Sequence, residues 1–248
     1  MHTGKGLSGA ALVIGAGDAT GGAIARAFAV EGYVACVNRR PRHADTLEAL
    51  AQSIRDAGHQ AQAFPADARD EEAMVALVEA VERDIGPIEV AVFNIGANVR
   101  FSVTDTTAQV YRKVWEMAAF AGFLMGREVA KRMAGRQRGT IIFTGATASI
   151  RGGAGFSAFS GAKAALRMLA QSMARELGPQ GIHVAHVVID GGIDTEFVRG
   201  LRPDFDAAKA NDLVLSPDAI AAQYVMLHKQ HRSAWTHELD LRPWGETF

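Results

Sequence analysis

The apolar stretches of this chain come in two lengths, and the two lengths alternate. Ala10–Ile14, Tyr33–Val37, Gln60–Phe64, Val90–Phe93, Thr140–Thr144 and Val184–Ile189 are short runs suited to strands. Between them lie Gly21–Glu31, Ala44–Ala57, Glu71–Asp84, Ala108–Ala134 and Ser160–Leu177, which are long enough for helices. In the last of these, Leu166, Leu169, Met173 and Leu177 recur at spacings of three and four, the period of one buried helix face. Alternation of this kind demands right-handed crossovers, so the expected fold is α/β with a mostly parallel sheet covered by helices on both faces. The nearly continuous apolar run Ile88–Phe93 fits a strand buried on both sides. Ser216–Leu227, opened by Ser-Pro, reads as a late helix, and Leu239–Leu241 as a final edge strand. No repeat or low-complexity linker interrupts the 248 residues, which suit a single domain. Arg199–Leu215 is polar and irregular, and sits where a substrate lid would lie.

Charge and composition exclude several classes. Lys and Arg number 26 against 27 Asp and Glu, a formal net charge of −1, so no long-range field draws the chain to nucleic acid or an anionic membrane. No apolar run is long enough to span a bilayer. The opening Met-His-Thr-Gly-Lys-Gly lacks the apolar core of a signal peptide. A cytoplasmic protein with a small-molecule partner is expected. Cys36 is the single cysteine, which rules out an internal disulfide; its apolar setting marks it as buried filler. No His, Cys or acid cluster has metal-ligand spacing. His183 and His186 read as packing or surface residues.

The first strand runs into Gly15-Ala16-Gly17-Asp18-Ala19-Thr20-Gly21-Gly22, where a helix begins. Glycine permits positive φ and close approach of backbone to a phosphate, and a new helix start favours an anion. Placed between strand and helix, the pattern points to a dinucleotide on a Rossmann-type, doubly wound sheet. About twenty residues on, a carboxylate would read a ribose 2′-hydroxyl, and an arginine would take a 2′-phosphate. The chain has Asn38-Arg39-Arg40 there, so NADP(H) is favoured over NAD(H). Asp18 leaves two alternatives open: its carboxylate repels a 2′-phosphate, or it pairs with Arg39 and holds it in place.

Phe159-Ser160-Gly161-Ala162-Lys163 has the form of a Tyr-x-x-x-Lys element with phenylalanine in the tyrosine position. Together with the glycine turn, it makes the chain resemble the classical short-chain dehydrogenase/reductase family over nearly its whole length, from about Leu7 to Leu241, in a divergent form. The resemblance places Ala19 at the middle glycine of the family turn, Asp67-Ala68 at the adenine contact after strand 3, and Asn94-Ile95-Gly96 at the family's Asn-Asn-Ala-Gly. It places Gly191, Ile193 and Thr195 in the segment after strand 6 that passes the nicotinamide, with Asp190 where the family has proline. The family's catalytic Asn falls on Ala118. Its Ser, about thirteen residues before the Tyr, falls on Ala146.

The resemblance implies that three of four catalytic side chains have lost their polar atoms and that Lys163 remains. In the family the Tyr moves the proton, the Ser polarises the substrate oxygen and the Lys holds the nicotinamide ribose. Loss of a positioned general acid costs on the order of 10²–10⁴ in rate, and loss of an oxyanion donor about 10²–10³. Thr147 and Asp190 are the candidate substitutes, Asp190 alternatively serving as a loop cap. Lys163 is a ribose anchor or, if desolvated, itself the proton donor. Three functions remain open: an NADP(H)-dependent oxidoreductase with a rebuilt proton path or a substrate needing little acid assistance, a silent dinucleotide-binding pseudoenzyme acting as a sensor or assembly subunit, and a non-redox enzyme that reuses the pocket. The family also implies a homodimer or homotetramer built on the helices Ala108–Ala134 and Ser160–Leu177.

Overall fold

The computed structural model of the chain describes residues 9–247. Residues 1–8, which hold the amino-terminal Met-His-Thr-Gly-Lys-Gly and the Leu7 from which the family resemblance runs, lie outside the described residues, as does Phe248. Along the chain run β1 (Ala10–Ile14), α1 (Thr20–Val30), β2 (Val34–Arg39), α2 (Ala44–Asp56), β3 (Ala61–Pro65), α3 (Glu71–Asp84) and β4 (Ile88–Phe93). There follow α4 (Ala108–Trp115), α5 (Ala121–Arg136), β5 (Gly139–Thr144), α6 (Ser157–Leu177) and β6 (Ile182–Ile189). The chain closes with α7 (Glu196–Leu201), α8 (Phe205–Ala210), α9 (Pro217–Lys229) and β7 (Glu238–Leu241). The strands form one sheet in the order β3-β2-β1-β4-β5-β6-β7, and every neighbouring pair is parallel.

The period of two along a strand distributes β1 between two cores. Ala11 and Val13 face α1, α2 and α9 with Ile24, Phe28, Leu47, Ile54 and Tyr224. Ala10, Leu12 and Ile14 face α3, α5 and α6 with Met74, Leu124, Val129 and Leu166. All eight residues of β6 are buried, as the two-sided cover requires. Cys36 lies in β2 with no exposure, and burial pushes its thiol up to about 12. Helix starts use local acceptors: the side chains of Asp70, Thr107, Thr195 and Ser216 each take a backbone N–H of the following turn.

Two segments differ from their sequence reading. The expected helix Ala108–Ala134 is broken by a π-helical turn over Glu116–Phe120. The wider turn re-phases the buried face between Val114 and Leu124, and apolar periodicity does not register the one inserted residue. Arg199–Leu215 is not irregular: it holds part of α7 and all of α8, anchored by buried Phe205, Ala208 and Val214. A strand-like bridge between Ile193 and Leu215 closes its base.

Candidate functional site

The strand order reverses between β1 and β4, so the loops leaving these strands diverge and open a crevice at their carboxyl ends. Two clefts meet there. The smaller, about 210 Å³, is lined by Gly15, Gly17, Asn38, Arg39, Arg40, Asp67 and Ala68, with His43, Arg69 and Met117 beside them. The larger, about 680 Å³, is lined by Thr20, Thr144, Ala146, Thr147, Arg151, Phe159, Lys163, Gly191, Ile193 and Thr195, among others. Asn94, Ile95 and Gly96 line both.

The glycine turn is shaped by contact. Gly15 has φ +84°, and a Cβ there would lie 2.9 Å from the Asn94 carbonyl. A Cβ on Gly21 would lie 2.4 Å from the Gly15 carbonyl oxygen. The Asn94 carboxamide donates to that same oxygen at 3.2 Å. Gly17 is different: a Cβ there meets nothing within 4 Å, so its small size leaves open space beside the turn. These are the features of a cradle that admits a phosphate to the backbone.

Around the smaller cleft the side chains are already engaged. Asn38 is buried; its carboxamide donates to the carbonyls of Phe64 at 2.7 Å and Ala66 at 3.2 Å. Its own main-chain carbonyl accepts the N–H groups of Gly15 and Ala16. Arg39 lies 3.6 Å from the exposed carboxylate of Asp18 and donates to Thr46 at 3.3 Å. Asp67 is held by Arg69 through two side-chain bonds of 3.0 and 2.6 Å, which keep its carboxyl below the usual range. Burial, then the neighbouring guanidinium groups of Arg42 and Arg69, lower Arg40. A cluster of like charges this close gains from an incoming anion.

Lys163 sits where the two clefts join. Its side chain is 2% exposed, and its ammonium donates to the carbonyls of Ile95 at 3.0 Å and Thr144 at 2.8 Å. An ammonium has three donors, so a third N–H is left beyond these two bonds. Burial brings its pKa down to about 7. The ring of Phe159 lies 5.9 Å from the ammonium. Phe159 and Ala118 belong to one apolar cluster with Val114, Ala158 and Ala162, and Ala146, Ala148 and Phe156 pack against it. The three altered positions are therefore neighbours, joined by apolar contact.

Beside this cluster stands a polar pair. Thr147 opens a single 3₁₀ turn, Thr147–Ser149, and its hydroxyl donates to Oδ1 of Asp190. The Asp190 carboxylate is 2% exposed. Arg242 lies 3.3 Å from its Oδ2 and Arg151 3.6 Å from its Oδ1. Thr147 and Arg151 line the larger cavity; Asp190 stands behind them. Gly191 has φ +152°, and a Cβ there would press on Pro243 at 2.7 Å. Thr195 accepts the N–H of Val198 at 3.1 Å and so opens α7. Asp194 is turned to Lys209 at 2.7 Å.

Several participants carry no motif. The Ser149 hydroxyl oxygen accepts the N–H of Ala146 at 3.0 Å and holds the turn below the cavity. Tyr224 is fully buried and shares a 2.8 Å bond with the Thr144 hydroxyl. His186 has no exposure; its Nδ1 lies 3.0 Å from Glu238, which Arg167 grips at 2.6 and 2.7 Å. Burial lowers His186 to about 4. His183 is buried and stacks on Trp235. In the sequence Arg151 is only a lone charge beside Gly152-Gly153. Arg242 carries no signal there at all, because its role depends on β7 lying next to β6.

The sequence model of the family described as short chain dehydrogenase matches residues 9–206. The chain belongs to the short-chain dehydrogenase family. It is 28% identical over 207 residues to 2,3-dihydro-2,3-dihydroxybenzoate dehydrogenase of Bacillus subtilis (strain 168), covering 83% of this chain and 78% of that one. A solved short-chain dehydrogenase from Rhodopseudomonas palustris is 44% identical, with a TM-score of 0.82 over 95% of this chain and 99% of its own. A variant actinorhodin polyketide ketoreductase solved with NADPH shares the fold at a TM-score of 0.86 and 24% identity, over 95% of this chain and 96% of its own. Short-chain dehydrogenases bind a nicotinamide dinucleotide, and the Rossmann-like parallel sheet expected from the sequence is the one observed. Among the described residues no helix is long and apolar enough to cross a membrane.

Proposed function

We propose that this protein is an NADP(H)-dependent oxidoreductase whose proton path has been rebuilt around Thr147, Asp190 and Lys163. The observation that carries this reading is Lys163: a buried ammonium bonded to Ile95 and Thr144 at the junction of the two clefts. A structural lysine has no need of an open 680 Å³ cavity beside it. The dinucleotide would lie with its diphosphate on Gly15, Gly17, Thr20 and Gly21 and its adenosine between Asn38, Asp67, Ala68 and Asn94. Its 2′-phosphate would meet Arg39 and Arg40. The nicotinamide end would pass Gly96, Gly191, Ile193 and Thr195, and when bound it supplies or accepts the hydride. Asp18 then serves as a counter-charge that positions Arg39. In the larger cavity Lys163 orients the ribose, the Thr147 oxygen accepts the O–H of an alcohol substrate, and Asp190 accepts the Thr147 O–H, fixes its direction and takes up the proton passed along the pair.

The apolar cluster of Phe159, Ala146 and Ala118 favours a second reading, a catalytically silent dinucleotide-binding subunit or sensor. A direct comparison separates the two. NADPH and NADH affinities are measured by calorimetry, and NADPH consumption is followed with a carbonyl and enoyl panel. Tighter binding of NADPH, with turnover that falls in Thr147→Val and Asp190→Asn, supports the oxidoreductase. Binding without turnover, even after Phe159→Tyr and Ala146→Ser are combined, supports the silent subunit.

A cytoplasmic homodimer or homotetramer completes the proposal. Trp115, Phe120 and Phe123 form a stacked row with centroid separations of 5.7 and 6.2 Å, and Tyr111, Trp115, Phe123 and Met168 are exposed. Sedimentation of the wild type and of Trp115→Glu tests whether this face joins copies. The segment 199–215 is proposed to flank the substrate as a lid.

A further inference from the structure

The larger cavity has a chemical bias that the cofactor does not use. Among the described residues no Asp or Glu lines it, and its charged lining side chains are Lys163 and Arg151. Lys163 is committed to two carbonyls at the cofactor end. Arg151 is not committed in the same way. Its side chain is 45% exposed and its contact with Asp190 is 3.6 Å, longer than the roughly 2.7–2.9 Å typical of a charge-assisted hydrogen bond. Asp190 already accepts the Thr147 hydroxyl and faces Arg242 at 3.3 Å. Arg151 therefore retains planar donors for a ligand at the cavity wall, beside Thr147. A second cation, Arg100, lies 5.7 Å over the ring of Phe156, itself a lining residue. Uncharged polar side chains such as Asn98 and Ser160 also line the cavity, and an apolar part of the wall is formed by Phe156, Phe159, Ile189, Phe197 and Val198.

We infer that the substrate is a carboxylate with a compact apolar body, and that Arg151 is the residue that binds its carboxyl group. The guanidinium fork matches a carboxylate in two parallel bonds. The apolar walls, including Phe159 and Ala146, take the hydrocarbon, and the reacting carbon is held near Thr147. Phe159 and Ala146, two of the three altered positions, thus belong to the apolar part of the same cavity. This inference rests on the oxidoreductase reading for its word "substrate", but the ligand preference itself is independent of turnover.

The test uses two unreactive probes of nearly equal shape, cyclohexanecarboxylate and cyclohexanecarboxamide. Each is titrated by calorimetry into the full-length protein, with and without saturating NADP⁺. A charge-assisted pair predicts that the carboxylate binds about 10- to 100-fold more tightly than the amide, and that added salt narrows the gap. In Arg151→Gln the two probes should bind within about twofold of each other, with the loss confined to the carboxylate. Equal affinities in the wild type, failure of both probes to bind, or a preference that persists in Arg151→Gln overturns the inference. Failure of NADP⁺ to bind at all would sink the oxidoreductase reading and leave the carboxylate preference measurable on the free protein.

Discussion

The ammonium of Lys163 donates to the main-chain carbonyl of Thr144 across 2.8 Å, so a helix side chain is tied to the end of β5 inside the protein. Burial brings its pKa from the ordinary lysine value of 10.5 to about 7. Below pH 7 both folded and unfolded chains hold the proton, and the cost of burying the charge is carried in full. Between pH 7 and 10.5 the unfolded chain binds more protons than the folded one, so this group makes stability rise with pH. Denaturant melts of wild type and Lys163→Met from about pH 6.5 to about 9.5 should show the wild type gaining on the variant, by up to about 1.4 kcal/mol per pH unit. A difference that stays constant over that range would refute the assignment.

Phe159 places a ring 5.9 Å from the same ammonium. In Phe159→Tyr the new phenol and Lys163 should titrate as a coupled pair, the phenol ionising below an ordinary tyrosine while Lys163, neutral above about pH 7 in the wild type, keeps its proton to higher pH. Spectrophotometric titration as a difference from the wild type isolates it from the three native tyrosines, Tyr33, Tyr111 and Tyr224. A variant with no additional phenol titrating below about pH 10 would show that the ring does not face Lys163.

The glycines of the turn separate fold from ligand. Gly21→Ala forces a methyl to 2.4 Å from the Gly15 oxygen and should destabilise the protein by about 1–3 kcal/mol. Gly17→Ala meets nothing and should leave stability within about 0.5 kcal/mol, while weakening NADPH binding. Thermal melts and nucleotide titration on both variants check the contrast, and equal melting losses would contradict it.

Asp190 faces Arg242 at 3.3 Å and Arg151 at 3.6 Å behind the cavity wall. Arg242 keeps Asp240 and the Arg151 side chain is half exposed, so Asp190→Ala chiefly removes the buried acceptor of the Thr147 hydroxyl and should cost about 1–3 kcal/mol. Thr147→Val removes a single donor and should cost about 1–3 kcal/mol. Activity should fall on the order of 10²-fold or more in Thr147→Val, with NADPH affinity unchanged. Urea unfolding with parallel NADPH titration checks both variants.

Asp18 lies 3.6 Å from Arg39 and its side chain is 82% exposed. An exposed pair contributes little to stability, so Asp18→Asn should change it by less than about 1 kcal/mol. If the carboxylate positions Arg39, the variant loses selectivity for NADPH over NADH. If it opposes the 2′-phosphate, selectivity increases. Competitive titration of the two nucleotides reads the sign.

Alternating run lengths are enough to determine the parallel sheet, its helical cover and the position of the glycine turn, because burial on two faces writes itself into local sequence period. Phe159, Ala146 and Ala118 can be named from spacing within a known family pattern. Their meeting in one apolar cluster cannot, since they lie on α6, the turn after β5 and the π turn that no periodicity signals. Thr147 and Asp190 stand out in the chain itself; Arg242 and Arg151 join them only when β7 and the turn after β5 come alongside the end of β6. The backbone pattern is a local property, carried by propensity and period. The electrostatics of the site are set by distances between residues far apart in sequence, and those distances exist only once the sheet has closed its order.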